Sequence, residues 1–497
     1  MPSLLRGRAG AVTLGLVGWL FLVEIVSGLL QGYYIPIISD IGRRLDVDDA
    51  QLNWLEAAQL LLSAIVLPVL AKLGDMFGHK RILLISTAVT AVASWALVFA
   101  DDFPTYLAAW ALQGFYVVWL PLEVAIIFSR ARSSGVANAI TRRAAGLLVV
   151  ALQAGGIIGA LLAGRLLTAF GGSLPPTLAV PAIAVTLAFA VILFGVPKSA
   201  PEVGGRRLDA MGFALLGIGL LLITSALTFL RINGPGTWWV WALLVAGILW
   251  FVPFARFELG RQDPAIDLRV LRDPRMWPVQ LTAGLFGISI LGAQIPLSTF
   301  AATDPAAGYG LGVDPESVSN MIGVYLLAVI IGAIVFPFAV RATTPRITLI
   351  GAAVLVGIGY LLFVPFHGSV AEVLTNMGIA GLGSGALLAA LPAAAAAAAP
   401  VGQTGIATGL TNTTKTVGGT FASAIFGVAL ASGVTSAAVA TAGSLSGYYT
   451  VWVICGGTAL VSAALLLFVP RLAFSDAPLA EVAAAPVDQD DRAAHRD

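Results

Sequence analysis

The sequence predicts an all-α polytopic membrane protein, and three observations carry that prediction. About fourteen long apolar stretches fill residues 11–470, and the short connectors between them hold nearly all the charge. Hydrophobic residues make up 58% of the 497-residue chain and charged residues only 11%, with a mean hydropathy of +0.94, too apolar for a water-soluble globule. The remaining charges are sorted by sign between alternate connectors, as topogenic charges are. A helix of about 20 apolar residues crosses a hydrocarbon core about 30 Å thick, so each stretch reads as one crossing.

Taken in order, the expected spans are 11–38, 51–71, 82–100, 105–128, 144–169, 178–196, 209–230, 237–256, 277–302, 317–340, 347–366, 371–395, 408–433 and 449–470. The first follows Arg6 and Arg8 and runs past Ile35 with no small-residue cleavage site, so a membrane helix is expected there, not a removable signal. Gly and Pro recur inside the spans, where membrane helices tolerate them. Trp238, Trp239 and Trp241 suit an interfacial belt. In the connector 257–276, Leu268, Val270 and Leu271 alternate with Arg269 and Arg272, as in an interfacial amphipathic helix. The Ala393–Ala399 run fits close helix packing. Residues 475–497 are polar and Ala-rich, and read as a disordered cytoplasmic tail.

With both termini in the cytoplasm, the inner connectors collect Lys72, Lys80, Arg81, Arg130, Arg142 and Arg143 among many bases. The outer ones keep only Arg43, Arg44 and Arg231 beside Asp46, Asp48, Asp101, Asp304 and Asp314. A multi-pass protein of a bacterial inner membrane, with an even helix count, is the expectation. A net charge of +1 leaves no basic patch for nucleic acid. The lone Cys455 cannot form an intrachain disulfide, and His79, His367 and His495 are too scattered to hold a metal, so no cofactor is expected. Gly409–Thr416 has the look of a phosphate-binding loop, but Thr414 stands where a glycine is required and the segment enters a membrane helix. With no clustered His/Asp/Cys arrangement either, an enzyme is not expected.

The chain also repeats itself. Residues 65–72 read IVLPVLAK and residues 334–341 read IVFPFAVR; each is followed by a short loop and a matching restart, Arg81–Ile85 against Arg346–Ile350. Weak similarity between two membrane halves marks duplicated secondary transporters. The expected organisation is therefore a six-helix half at 11–196, an inserted helix pair at 209–256 and a second six-helix half at 277–470.

The connector after the second span reads Ala71-Lys72-Leu73-Gly74-Asp75-Met76-Phe77-Gly78-His79-Lys80-Arg81. It resembles the signature loop of the major facilitator superfamily, G-x-L-a-D-r-x-G-r-k, matching at Leu73, Asp75, Gly78, Lys80 and Arg81 and departing at Ala71, Met76 and His79. Gly78 suits a tight turn, Lys80 and Arg81 an anionic leaflet, and Asp75 a helix terminus or a base. The resemblance implies that the loop helps to hold one conformation of an alternating-access cycle. Trp54–Leu61 resembles the W-x-x-x-x-Y-x-L second helix of the family's fourteen-helix drug:proton antiporter branch, with Gln59 in place of tyrosine. Leu112-Gln113-Gly114 with Pro121 resembles its fourth helix. Asn412–Gly419 is similar to its n-t-s-R-q-x-G-G, with Lys415 for arginine. Two departures stand out: Trp110 replaces the fourth-helix arginine that the family links to proton coupling, and Ala160 replaces the proline of the fifth-helix motif G-x-x-x-G-P-x-x-G-G. They leave the direction of transport and the proton's route open.

Ionisable groups at membrane depth are costly and therefore candidates for function. Glu24 lies near the middle of the first span, and Ser27, Gln31 and Tyr34 follow it at spacings of three and four, so a shared polar face is expected. Glu56 falls in the outer third of the second span and Glu123 toward the inner end of the fourth, where Arg130 or Arg132 is within reach as a partner. Arg165 is a candidate partner for Glu56, and Lys415 is either a cavity cation or an interfacial anchor. Glu24, Glu56 and Glu123 are the candidate proton and substrate groups; Gln59, Gln113, Gln294, Tyr325 and Asn376 join the first-span residues as candidate cavity polar groups. The expected activity is proton-coupled export of hydrophobic or amphiphilic, and on Glu56 cationic, small molecules. Its partners are protons, the substrate and the bilayer, and the resemblance implies a monomer. The alternatives are a facilitator of an anion, lipid or metabolite without standard proton coupling, and a transport-dead membrane sensor or scaffold.

Overall fold

A computed structural model describes residues 8–131, 137–198, 209–261, 276–398, 404–431 and 442–468, together with 264, 268 and 269. Its α-helices are α1 (Arg8–Tyr33), α2 (Ile38–Leu45), α3 (Asp49–Phe77), α4 (His79–Phe99), α5 (Phe103–Gln113), α6 (Trp119–Ala131), α7 (Ala137–Ala169), α8 (Leu174–Gly195), α9 (Ala210–Asn233), α10 (Trp238–Leu259), α11 (Trp277–Ile290), α12 (Gln294–Ala302), α13 (Pro315–Ala342), α14 (Pro345–Leu362), α15 (Val370–Ala398), α16 (Thr404–Ala431) and α17 (Leu445–Phe468). The expected tail at 475–497 and most of the expected amphipathic segment, Val270, Leu271 and Arg272 among it, lie outside the described residues.

Thirteen membrane-length apolar segments are present among the described residues. The fourteenth expected span is α16, whose 28 residues are diluted by threonine. Those hydroxyls do not need water: Thr414, Thr416 and Thr420 each donate to the carbonyl four residues back, at 2.8, 2.9 and 2.9 Å.

Helix ends follow the local chemistry. Asp48 and Gln51 form a reciprocal cap at the start of α3, and Asp102, Asp209, Asp314 and Thr344 each accept a backbone N–H at the start of α5, α9, α13 and α14. Three spans are broken where one helix was expected. The first ends at Tyr33, because Pro36 brings no N–H; a 3₁₀ turn and the short α2 follow. The fourth loosens into a 3₁₀ stretch, Gly114–Val118, between α5 and α6. The ninth breaks between Ile290 and Gln294, beside Gly292.

The buried apolar residues gather mainly in two clusters. One draws on α1–α8, the other on α11–α17, and only Ile295, Ala50 and Ala160 cross over. Within the first group α1 and α7 touch backbone to backbone: a Cβ on Gly28 would lie 1.8 Å from the Leu152 carbonyl oxygen, and one on Gly155 would lie 2.0 Å from that of Ile25. Between the groups, α3 lies along α16 and α7 along α13. The two helices that carry the sequence repeat, α3 and α13, thus occupy matching positions. The pair α9 and α10 sits outside, α9 against α3 and α16, and α10 against α9, where Trp250 Nε1 donates to the Leu215 carbonyl at 2.9 Å.

The ends of the helices remote from the two chain termini, here the distal ends, are stitched together across the groups. Ser298 donates to the Ile35 carbonyl (2.6 Å), the Gly164 N–H to Ser319 Oγ (2.9 Å), and Arg165 to Asn320 (2.8 Å) with Glu316 at 3.8 Å. Asp49 Oδ2, at the start of α3, accepts from the Gly443 N–H (3.1 Å) and the Tyr448 hydroxyl (3.2 Å), while the Tyr309 hydroxyl donates to the Gly443 carbonyl. Burial and the Asp49 charge push the Tyr309 phenol up to about 12, so it keeps its proton and stays a donor.

Candidate functional site

Glu24 sits on an otherwise apolar α1, with Leu20 and Val23 fully buried beside it, and α1 reaches α6 as well as α7. That places its carboxyl against Glu123 of α6. Both side chains are 0% exposed. Glu24 has the Glu123 carboxyl and Ser27 for neighbours, and Glu123 has Glu24. Among the described residues no oxygen of the Glu123 carboxyl receives a hydrogen bond from a protein donor, and Ser27 is the one hydroxyl placed to donate to Glu24. Two ionised carboxylates are acceptors only and repel; one proton between them supplies the missing donor and removes one of the two buried charges. Arg130, an expected partner for Glu123, instead donates to the Lys198 carbonyl at 2.9 Å. The alternative, Arg132, lies outside the described residues.

The expected polar face of the first span divides in three. Ser27 stays with Glu24, and Gln31 is exposed to a cavity between the groups. Tyr34, beyond the helix end, is buried in the first group, where Gln113 Nε2 donates to its hydroxyl (2.7 Å) and to Ser94 Oγ (2.9 Å). Gln59 donates to the Trp110 carbonyl (3.4 Å) and Ser63 to that of Gly114 (3.0 Å). These are carbonyls that the change from α-helix to 3₁₀ leaves without their helical partners. Gln59, Gln113 and Tyr34 therefore brace the broken fourth span. Trp110, at the place of the family's arginine, packs edge-on against Tyr34 at 5.0 Å.

Where the groups meet beneath the distal contacts lies a cavity of about 70 Å³, lined by Gln31 and Gln153 from the first group and Gln294, Tyr325 and Tyr360 from the second. Gln294 donates to the Ile290 carbonyl at the break in the ninth span (2.8 Å), and Tyr360 to the Ser289 carbonyl (2.7 Å). Gln153 and Tyr360 escaped the sequence reading. The signal for Gln153 was its place beside the glycine pair Gly155 and Gly156, which brings it to the contact between helices. Asn376 does not join them: its amide donates to the Phe366 carbonyl at 2.6 Å and closes the turn before α15.

Glu56 on α3 and Lys415 on α16 are each half-buried, and neither has a hydrogen-bond or ion-pair partner among the described residues. Arg165 is engaged by Asn320 and Glu316 and is no partner for Glu56. A larger groove of about 450 Å³ lies between α3, α5 and α9, walled by Trp54, Leu61, Phe103, Leu107 and Thr228. In the signature-like loop Gly78 adopts φ 93°, open to glycine, and lets α4 start one residue after α3 ends. His79 Nε2 lies 3.1 Å from Asp75 Oδ1, and Lys80 donates to the Leu193 carbonyl at the end of α8 (2.9 Å). Asp75 thus meets a base, while Lys80 ties the loop to α8; Arg81 is exposed.

Comparison with known proteins agrees with this architecture. The family model described as Major Facilitator Superfamily matches residues 20–302. The chain is 24% identical over 430 residues to the probable actinorhodin transporter of Streptomyces coelicolor, covering 83% of this chain and 71% of that one. It is 24% identical over 430 residues to the multidrug resistance protein Stp of Mycobacterium tuberculosis, covering 85% and 76%. It is 28% identical over 391 residues to the cephamycin export protein CmcT of Amycolatopsis lactamdurans, covering 76% of each. Among solved structures, the POT family transporter PepTSo superposes with a TM-score of 0.65 at 14% identity, covering 92% of this chain and 98% of the other, which speaks to the fold alone.

Proposed function

The chain belongs to the major facilitator superfamily, and from that premise we propose that it is a proton-coupled exporter of amphiphilic small molecules working by alternating access. It is a transporter and not an enzyme, with relatives named for multidrug resistance and antibiotic export. The fourteen-helix drug:proton antiporter branch suits those relatives. The observation that carries the proton-coupled reading is the pair Glu24–Glu123, two fully buried carboxyls facing each other.

In this proposal the halves 11–196 and 277–470 rock about the α3–α16 and α7–α13 contacts, with the pair 209–256 riding on the outside. The base-rich proximal ends face the cytoplasm of a bacterial cell, and the protein acts as a monomer in the inner membrane. The distal contacts then close the outer side, so this conformation is the one open to, or occluded from, the cytoplasm. When the outer side opens, the Glu24–Glu123 pair takes a proton from outside; when the inner side opens, the proton leaves and a substrate enters. Loss of the proton leaves two like charges facing each other; the return follows substrate loading, and the pair is reprotonated from outside once the substrate has left. Gln31, Gln153, Gln294 and Tyr325 offer polar contacts to the substrate around an otherwise apolar cavity.

The test is flux of an amphiphilic dye in proteoliposomes under an imposed pH gradient. Flux that follows the gradient in the wild type and ignores it in Glu24→Gln supports the proposal; gradient-driven flux unchanged in Glu24→Gln and Glu123→Gln overturns it. A second reading, facilitation without proton coupling, draws on Trp110 and Ala160 at the two positions where the branch keeps arginine and proline. Flux in the wild type with no response to the gradient would favour it.

A further inference from the structure

Charge is divided unevenly between the two halves. Within the two halves the acids at membrane depth, Glu24, Glu56 and Glu123, all belong to the first. From residue 277 to residue 470 the acids are Asp304, Asp314, Glu316 and Glu372, each in a loop or the first turn of a helix at the distal end. The bases of the same stretch are Arg341 and Arg346, at the proximal ends of α13 and α14, and Lys415. Lys415 is thus the one base inside the second half, with no acid of its own half at its depth.

Helix register places Lys415 on the seam between the halves. On α16, Thr414 and Gly418 face Gly284 of α11, while Val417, Phe421 and Ala424 pack on the side of α9. Gly419 lies between these faces and the α3 face: a Cβ there would meet Leu60 of α3 at 2.9 Å and Leu291 at 2.7 Å. Lys415 is one turn before Gly419 on the same stripe, toward the proximal end, and Glu56 is one turn before Leu60, toward the distal end. The two charges therefore stand about two turns, or ~11 Å, apart along the seam, too far for an ion pair. The α16 backbone is held rigidly at this point. A Cβ on Gly287 of α11 would fall 2.0 Å from the Lys415 carbonyl oxygen, and Gln280 joins the helices by donating to Thr411 at 3.0 Å.

We propose that Lys415 recognises an anionic group on the transported molecule, so that the substrate is an amphiphile bearing a carboxylate, phenolate or sulfonate. This rests on the transport reading above and assigns the substrate class from a charge on the seam between the halves, outside the lining of the cavity described above. A half-buried ammonium without a counter-charge gains most from an anion that arrives with the substrate. Glu56, two turns away along the seam, then repels an anionic group placed toward the distal end and sets the substrate's orientation.

The experiment is calorimetric titration of the full-length protein in nanodiscs with naphthoate and with naphthylmethylammonium, which share a ring and differ in charge. Flux of both in proteoliposomes is measured beside it. Lys415→Gln is expected to weaken naphthoate binding by about tenfold or more and leave the ammonium unchanged, while Lys415→Arg restores the anion. Should Lys415→Gln melt early, the wild-type preference between the two probes and the Arg variant still decide. The inference is overturned if the wild type prefers the ammonium, or if Lys415→Gln shifts both probes equally or neither. Lys415-dependent naphthoate binding with no gradient-driven flux would sink the transport reading and leave the recognition site standing. Gradient-driven ammonium flux with naphthoate ignored would do the reverse.

Discussion

The Glu24 carboxyl on α1 meets the Glu123 carboxyl on α6 inside the first helix group, both with 0% exposure. Replacing either acid by glutamine removes the shared proton and also removes a like-charge conflict. Glu24→Gln and Glu123→Gln are expected to lose the response of flux to a pH gradient while keeping or gaining stability, within about 1 kcal/mol. Thermal unfolding measured beside the flux assay checks both halves of this statement; a large drop in melting temperature would show that the pair is structural.

Asp49 holds the distal closure through two donors of the opposite half, Gly443 N–H and Tyr448 hydroxyl. Each such bond contributes about 1 kcal/mol net, so losing both in Asp49→Ala is expected to shift the outward-open population by about thirtyfold. Labelling of Leu297→Cys, a cavity residue, by a membrane-impermeant maleimide in a Cys455→Ser background reads that population. Equal labelling rates with and without Asp49 would count against the latch.

The α1–α7 crossing has no room for a side chain at Gly155, where a Cβ would already lie 2.0 Å from the Ile25 carbonyl oxygen. Gly155→Leu is expected to cost about 1–3 kcal/mol and to displace Glu24, one residue from Ile25. A thermal-shift measurement with a parallel flux assay would show both losses together. Gly146, which has nothing within 4 Å of its would-be Cβ, serves as the control.

Gly78 turns the chain between α3 and α4 at φ 93°. Gly78→Ala is expected to cost about 1–2 kcal/mol of backbone strain and to slow cycling more than it weakens substrate binding, because the turn is remote from the cavity. Turnover and Kd measured on the same preparation separate the two effects. A weakened Kd with unchanged turnover would speak against a conformational role for this loop.

Several site features were readable before the fold because they depend on local chemistry. Gly78 announced its turn, and a carboxyl at position 24 in an apolar helix demanded a protected place; the breaks near Pro36 and Gly114 were not anticipated, since 11–38 and 105–128 each read as one span. The pairings were not readable. Glu24 and Glu123 are 99 residues apart and come together only because α1 and α6 are neighbours; Arg130 was nearer in sequence and lies elsewhere. Gln59, Gln113 and Asn376 resembled cavity groups by composition, yet each is taken by a backbone carbonyl or hydroxyl that only the broken helices and turns expose.

The sequence by itself determined that this is a many-helix membrane protein with an internal repeat, because hydropathy, charge sorting and a signature loop are properties of short segments. The tertiary structure decided which polar residues brace the fold and which line the cavity between the groups. That choice depends on which helices touch. Helices of similar hydropathy pack through small residues such as Gly28, Gly155, Gly287 and Gly418, whose partners are set by the whole bundle and not by their neighbours in the chain.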